Sequence, residues 1–305
     1  MNIKQLQSFL VLCDELHYGR AADRLFITQP SLSQQIKQLE SSLKIILFKR
    51  KGRGIELTKA GGILQQHAIK IMLSLKNAEN DLQPYLHQKR DTIALGVSGS
   101  HLVLPMFRSF ISQHPEISLN VKEFSTAETI KKLGDGAIDI GIVYQREFPP
   151  HLTSTVLFDD EIILAVPVTH PLAKRNRITF EDLNDVPVIM LNDSLLLREV
   201  VTKELTKNKI TPNIICELDN HYSCLEYAEA QIGIAFITRS LFRTSPAQNV
   251  HLVSLAVPSF FHPVVLLHNK DLLLDEPTRY LLRQIKDFYT SEASFPIERD
   301  GLGEK

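Results

Sequence analysis

Residues 28–39, TQPSLSQQIKQL, carry amides, hydroxyls and one cation, and no acidic residue. Gln34 has the donor–acceptor pair that matches adenine in a major groove. Ser31 and Ser33 can reach base edges or phosphate, and Lys37 can neutralise a phosphate. Thr28, Gln29 and Pro30 lead into the same face. Shortly after comes LFKRKGRGIEL, residues 47–57, with Lys49, Arg50, Lys51 and Arg53 crowded at its centre. A polar helix face and a charged turn are ordinarily just solvated. Here the missing acids and the density of positive charge favour contact with a polyanion.

The elements that must position these residues follow from periodicity. Ile3, Leu6, Phe9, Leu10 and Cys13 predict a helix over 3–15. His17, Tyr18 and Gly19 break it, and Ala21, Ala22 and Leu25 give a short second helix. Thr28 is the expected N-cap of a third, with Pro30 in its first turn, where a missing N–H costs little. Leu32, Ile36, Leu39 and Leu43 bury one face of it and leave Gln34 and Lys37 on the other. Two short helices and a tight turn before such a helix describe a helix-turn-helix. Two β-type stretches around the Gly-containing basic turn read as a hairpin wing.

Charge supports this division. Residues 1–60 hold ten basic and five acidic residues, leaving 24 basic and 30 acidic in the remainder. A basic module on an acidic body is the footprint of nucleic-acid binding. The 305 residues suggest about two domains, and 44% hydrophobic with 23% charged residues is ordinary globular usage. Three cysteines make no disulfide framework, and no CxxC pair suggests zinc. The absence of a long apolar run and of a signal-like N-terminus leads us to expect a soluble cytoplasmic protein with no cofactor and no metal.

Thr58 is placed to cap a long helix reaching about Leu82. Leu64, Ala68, Ile71, Leu75, Ala78 and Leu82 keep a four-three repeat along it, the pattern of a dimer seam. Pro84 and the polar stretch 87–91 mark a hinge. From Thr92 the pattern changes to alternating strands and helices, so an α/β domain with a mainly parallel sheet is expected. Predicted strands are 93–97, 119–124, 138–143, 161–166, 186–191, 214–218, 233–237 and 263–268. Predicted helices are 102–113, 127–133, 194–207, 222–230 and 276–289, with frayed residues from 292.

Ligands of open α/β sheets sit at the carboxyl ends of strands, where helix N-termini offer N–H groups. Those ends carry Ser98 and Ser100, Ser125 and Thr126, Asn192 and Ser194, Asn220 and His221. Each could be a helix cap alone; several around one cleft make a binding site, with a small carboxylate or similar metabolite as the natural ligand. Residues 96–100, GVSGS, fall one residue short of a nucleophile elbow and read as a strand-to-helix turn. His221 with Cys216 and Cys224 is a trio more often structural than metal-binding or redox-active.

The run GRAADRLFITQPSLSQQIKQLESSL followed by LFKRKGRGIELTKAG resembles the winged helix-turn-helix of LysR-type transcriptional regulators. Gln34 stands where many members have Arg, and Lys44 replaces a frequent glycine. Residues 133–142 and 231–235 are similar, more weakly, to the family's effector-binding domain. The resemblance implies a multidomain α/β protein: a DNA-binding domain over 1–58, a linker and dimerisation helix with hinge over 59–90, and an effector domain over 91–305. That last domain would divide into 92–162 plus 264–305 and 163–263, with a cleft between them. It further implies that Thr28, Gln29, Pro30, Ser31, Ser33, Gln34, Lys37, Arg50 and Arg53 meet promoter DNA at a dyad site. Ser98, Ser100, Thr126, Asn192 and His221 would bind a small-molecule effector. Homodimers would assemble into homotetramers, with RNA polymerase as a possible partner and no membrane. Some members sense peroxide through a cysteine whose position here is Leu196. The alternatives are an α/β enzyme with an accessory DNA-binding module, and a non-specific nucleoid protein.

Overall fold

The computed structural model describes residues 1–52, 54–82, 92–145, 147–193, 195–256 and 260–290. The predicted hinge at 83–91 and the end of the chain from 291 lie outside them, as do Arg53 and Ser194. The chain divides into two compact units, residues 1–88 with 271–273, and residues 89–270 with 274–305.

In the first unit, α1 (Ile3–Glu15) begins with a reciprocal cap. Asn2 Oδ1 accepts from the Gln5 N–H at 2.9 Å, and Gln5 Oε1 accepts from the Asn2 N–H at 3.0 Å. The break expected at 17–19 falls at Leu16 and His17, and α2 (Tyr18–Arg24) already begins at Tyr18. His17 Nδ1 accepts from the backbone N–H of Gly19 and Arg20, so an imidazole does the work of a capping hydroxyl. Thr28 Oγ1 caps α3 (Gln29–Leu43) by accepting from the Ser31 N–H at 3.4 Å. Leu32, Ile36 and Leu39 are buried against Leu6, Phe9 and Leu12 of α1 and Ala21 and Ala22 of α2.

Helix α3 ends at Lys44 in the left-handed conformation, φ 55°. Strands β1 (Phe48–Lys51) and β2 (Gly54–Leu57) form the antiparallel wing. Glu40 on α3 fastens it, its Oε1 accepting from the N–H groups of Leu47 at 2.7 Å and Phe48 at 3.3 Å. Thr58 then starts α4 (Lys59–Leu82). Its hydroxyl donates to the Ile46 carbonyl at 2.8 Å and accepts from the Gly61 N–H at 3.0 Å. A side chain on Gly61 would lie 2.4 Å from the Leu47 carbonyl oxygen, so only glycine lets α4 approach the wing this closely. Ala68 is buried in the core of this unit and Leu64 packs against it. Two residues of the predicted seam are therefore used within the unit, while Ile71 and Leu82 stay 37% and 56% exposed.

The second unit is built on one mixed sheet. Its strands are β3 (Thr92–Val97), β4 (Ser118–Glu123), β5 (Ile140–Tyr144), β6 (Leu152–Pro167), β7 (Arg177–Ile178), β8 (Pro187–Leu191), β9 (Asn213–Leu218), β10 (Ile234–Thr238), β11 (Val250–Leu255) and β12 (Phe261–Asn269). The order is β4-β3-β5-β12-β6-β10-β8-β9, with β11 pairing β6 and β7. The outer pairs β3–β4, β3–β5, β8–β9 and β10–β8 are parallel. The central strands β6 and β12 run antiparallel to their sheet neighbours β5 and β10 and to each other, which corrects the expectation of a mainly parallel sheet.

Strand β6 also starts nine residues before its predicted beginning. Its first half, LTSTVLFDD, is polar and partly exposed, so it lacks the apolar run that marks a buried strand. That half pairs with β12, and its second half pairs with β10 and β11, so one strand serves both parts of the sheet. Around the sheet lie α5 (Leu104–Gln113), α6 (Thr126–Gly134), α7 (Leu196–Lys207), α8 (His221–Glu229), α9 (Arg239–Thr244) and α10 (Glu276–Thr290). Strands β7 and β11 and helix α9 were not predicted; β7 and α9 are too short for a period to show. Separate apolar cores form around Leu95, Phe110 and Ile285, and around Ile163, Ile189 and Ile237.

Candidate functional site

Two surfaces collect the candidate residues. On the first unit, α3 exposes Gln29, Pro30, Gln34 and Lys37, with Ser31 and Ser33 half-buried beside them. Gln34 and Lys37 are one turn apart and so share a face. Thr28 is exposed, and its hydroxyl keeps a proton to donate while its oxygen caps the helix. In the turn before α3, Phe26 adopts φ 54° and is 96% exposed, a residue that the sequence reading passed over.

The wing is less positive than its composition suggests. Lys49 Nζ lies 2.8 Å from Glu56 Oε1, and Lys51 Nζ lies 2.7 Å from Glu56 Oε2. These two ammonium groups lower the Glu56 carboxyl to about 2, so it remains ionised. Arg50 is exposed, and Arg53 lies outside the described residues.

The second surface is a cavity of about 250 Å³ at the carboxyl ends of β3, β4 and β9. Ser98 follows β3, and its hydroxyl lies 3.4 Å from Thr126 Oγ1 in the first turn of α6. Ser125 caps α6 by accepting from the Glu128 N–H, and Asn220 caps α8 by accepting from the Ser223 N–H at 2.8 Å. His221 opens α8, is only 5% exposed, and lines the cavity with Ser98 and Ser125. A second, much smaller cavity of about 10 Å³ shares Ser98, Ser125 and His221 and is also lined by Thr126, Tyr144, Leu196 and Leu197.

The structure thus brings Ser98 and His221 to this cavity, while Thr126 lines the smaller one that shares them. Ser100 and Asn192 line neither. The Ser100 N–H is held by Glu123 Oε1 at 2.7 Å, and Asn192 Nδ2 donates to Asp219 Oδ1 at 2.5 Å. Glu123, Glu128 and Asp219 also line the cavity, and none is among the residues expected from the sequence. Glu123 and Asp219 stand at the ends of β4 and β9, so the strand-end rule that selected the serines would have found both.

Behind the cavity runs a buried polar chain. His101 Nε2 lies 3.3 Å from the Tyr144 hydroxyl, which donates to Asp160 Oδ2 at 2.9 Å. Asp160 also accepts from the Ser240 N–H at 3.1 Å and the Ser240 hydroxyl at 2.5 Å. Burial raises the Asp160 carboxyl to about 6. Burial also lowers both imidazoles, His221 to about 4, which keeps them neutral at pH 7. Burial, with Cys216 beside it, pushes the Cys224 thiol up to about 12, which leaves it a poor nucleophile. Among the described residues, no group of three His, Cys, Asp or Glu is placed to hold a metal ion, and no helix is long and apolar enough to cross a membrane.

Residues 3–62 match the family model described as bacterial regulatory helix-turn-helix protein, lysR family, and residues 87–289 match the LysR substrate binding domain. The chain is 32% identical over 250 residues to the HTH-type transcriptional regulator AlsR of Bacillus subtilis (strain 168), covering 79% of this chain and 81% of that protein. A full-length OxyR variant from Pseudomonas aeruginosa superposes with a TM-score of 0.65 at 21% identity, over 94% of each chain. Full-length CbnR in complex with its target DNA superposes with a TM-score of 0.52 at 19% identity, over 94% of this chain and 99% of that one. At these identities the two structures bear on the fold alone.

Proposed function

The chain belongs to the LysR family of bacterial transcriptional regulators, and from that membership we propose how its residues divide the work. As a member it is an effector-controlled, DNA-binding regulator of transcription, and the relatives it matches are named as regulators rather than enzymes. The observation that carries the residue assignment is the acid-free face of α3, with Gln34 and Lys37 exposed one turn apart above a capped N-terminus.

Gln34, Ser33 and Ser31 read base edges in the major groove, and Lys37 meets phosphate. Thr28, Gln29 and Pro30 bring the helix N-terminus to the backbone. Arg50 and Arg53 hold the wing on the duplex. In this scheme residues 1–58 read DNA and 59–90 pair and connect. The cleft lies between 92–162 with 264–305 and 163–263. Ser98, Thr126 and His221 contact the effector, while Ser100 and Asn192 hold the Glu123 and Asp219 carboxylates in place.

Effector binding favours one arrangement of the two subdomains. The DNA complex changes to the extent that the effector's affinity differs between arrangements. Helix α4 dimerises through Ile71, Leu75, Ala78 and Leu82, since Leu64 and Ala68 are already committed to the unit's own core. Dimers pair into tetramers on an interrupted palindrome in the cytoplasm, beside RNA polymerase.

The test is capture of sheared genomic DNA by the purified protein at physiological salt, followed by sequencing. Recovery of a few promoters sharing a dyad motif supports the assignment. Uniform recovery of the genome favours the non-specific nucleoid reading and contradicts it.

A further inference from the structure

We propose that Phe26 is a base-contacting residue, its ring packing on the C5-methyl of a thymine beside the bases that α3 reads. The inference rests on α3 entering the major groove, and it adds an apolar contact to a face otherwise made of hydroxyls, amides and one cation.

Phe26 occupies a position whose backbone favours glycine. The Phe26 N–H donates to the Asp23 carbonyl and the Ile27 N–H to the Ala22 carbonyl, each at 3.1 Å. This pair of bonds closes α2 in the way that glycine usually completes, and Phe26 holds φ 54° to make them. A bulky side chain at positive φ is an outlier, strained by the approach of Cβ to the backbone. The neighbours Leu25 and Ile27 pack against the core of the unit. Phe26 is 96% exposed, more than any other large apolar side chain among the described residues. No packing in the free protein therefore offsets the strain. Strain of this kind collects where a surface meets its ligand.

The occupant follows from continuity with the DNA-binding surface. Phe26 sits in the turn of the helix-turn-helix, with only Ile27 between it and the Thr28 cap. Three steps along the chain separate it from Gln29, so its Cα lies within about 11 Å of the first residue of α3. The two backbone hydrogen bonds fix the turn, so the ring is carried to the duplex together with the helix. An uncharged ring has nothing to offer a phosphate. In the major groove the apolar feature of a base pair is the thymine methyl, a partner that phenylalanine suits.

The test measures binding of the full-length protein to a promoter duplex recovered by capture, to the same duplex with single thymines replaced by uracil, and to a random duplex. The proteins are wild type, Phe26→Gly, Phe26→Asn and Gln34→Ala. Glycine and asparagine both accept φ near 54°, so thermal midpoints at or above wild type are expected without DNA. Wild type is expected to lose about fourfold in affinity at one thymine-to-uracil position, the worth of one buried methyl. Both Phe26 variants are expected to lose at least as much on the promoter and little on random DNA, and to ignore uracil at that position. Equal losses on promoter and random DNA overturn the proposal in favour of a backbone contact, and indifference of the wild type to every uracil also overturns it. Full promoter affinity in both Phe26 variants, where Gln34→Ala weakens it, overturns the proposal and leaves the α3 reading standing. Unchanged promoter affinity in all three variants removes both. A midpoint lowered in both Phe26 variants shows the ring packed in the free protein and overturns the proposal as well.

Discussion

The Tyr144 hydroxyl donates to Asp160 Oδ2 at 2.9 Å, and both side chains are buried. Asp160 lies on β6 next to Glu161, the last residue to pair with β12 before the strand turns to β10 and β11. Tyr144 comes from β5 and Ser240 from α9, so one carboxylate ties together elements from both parts of the sheet. Its position where the sheet changes partners gives it a measurable signature.

Burial raises the Asp160 carboxyl to about 6, above the roughly 3.9 of an unfolded aspartate. The native state therefore binds the proton more tightly than the unfolded chain. Stability from this group is complete below the unfolded value, falls as pH rises between about 4 and 6, and is flat above. In Asp160→Asn this contribution is absent. Urea unfolding from pH 4 to pH 7.5 is expected to show the wild type losing up to about 3 kcal/mol relative to the variant. Parallel profiles would remove the assignment.

Lys44 ends α3 at φ 55°, a region that a side chain disfavours and glycine does not. Lys44→Gly is expected to stabilise the DNA-binding unit by about 1 kcal/mol, read as a raised midpoint of unfolding. A lowered midpoint would mean that the lysine makes a compensating contact.

Gly61 faces the opposite constraint. The added methyl of Gly61→Ala would meet the Leu47 carbonyl at 2.4 Å and Leu57 Cδ2 at 2.6 Å. Backbone must shift to admit it, at a cost of about 1–3 kcal/mol. Unchanged stability in denaturant would show that the wing moves freely against α4.

The first unit was readable in detail because its rules are local. Ile3 to Cys13 gave α1 by period alone, and Thr28 and Thr58 are caps that the sequence announces. Even there, a histidine cap at His17 escaped, since imidazole is not an ordinary N-cap. In the second unit most strands were readable, including the largely exposed β4 and β9. The polar half of β6 owes its place to pairing with β12 a hundred residues away, which no local pattern carries. The cavity shows the same divide. Ser98, Thr126 and His221 were found from strand ends. Glu123 and Asp219 stand at strand ends too, but neither caps a helix, so a capping pattern does not reveal them.

Glu56 pairs both Lys49 and Lys51 on the wing. Glu56→Gln leaves these ammonium groups able to turn to phosphate. Affinity for a random duplex is expected to rise, and the slope of log affinity against log salt to steepen by up to about 2. An unchanged slope would mean that the wing lysines stay off the backbone.

The central claim is that α3 reads bases and the wing holds the backbone. Its most direct measurement is the affinity of wild type, Gln34→Ala and Arg50→Ala for a promoter duplex recovered by capture and for a random duplex of equal length. Gln34→Ala is expected to lose about 1–3 kcal/mol on the promoter and little on random DNA. Arg50→Ala is expected to weaken both alike, with a salt slope shallower by about 1. Equal losses on the two duplexes for Gln34→Ala would contradict the account.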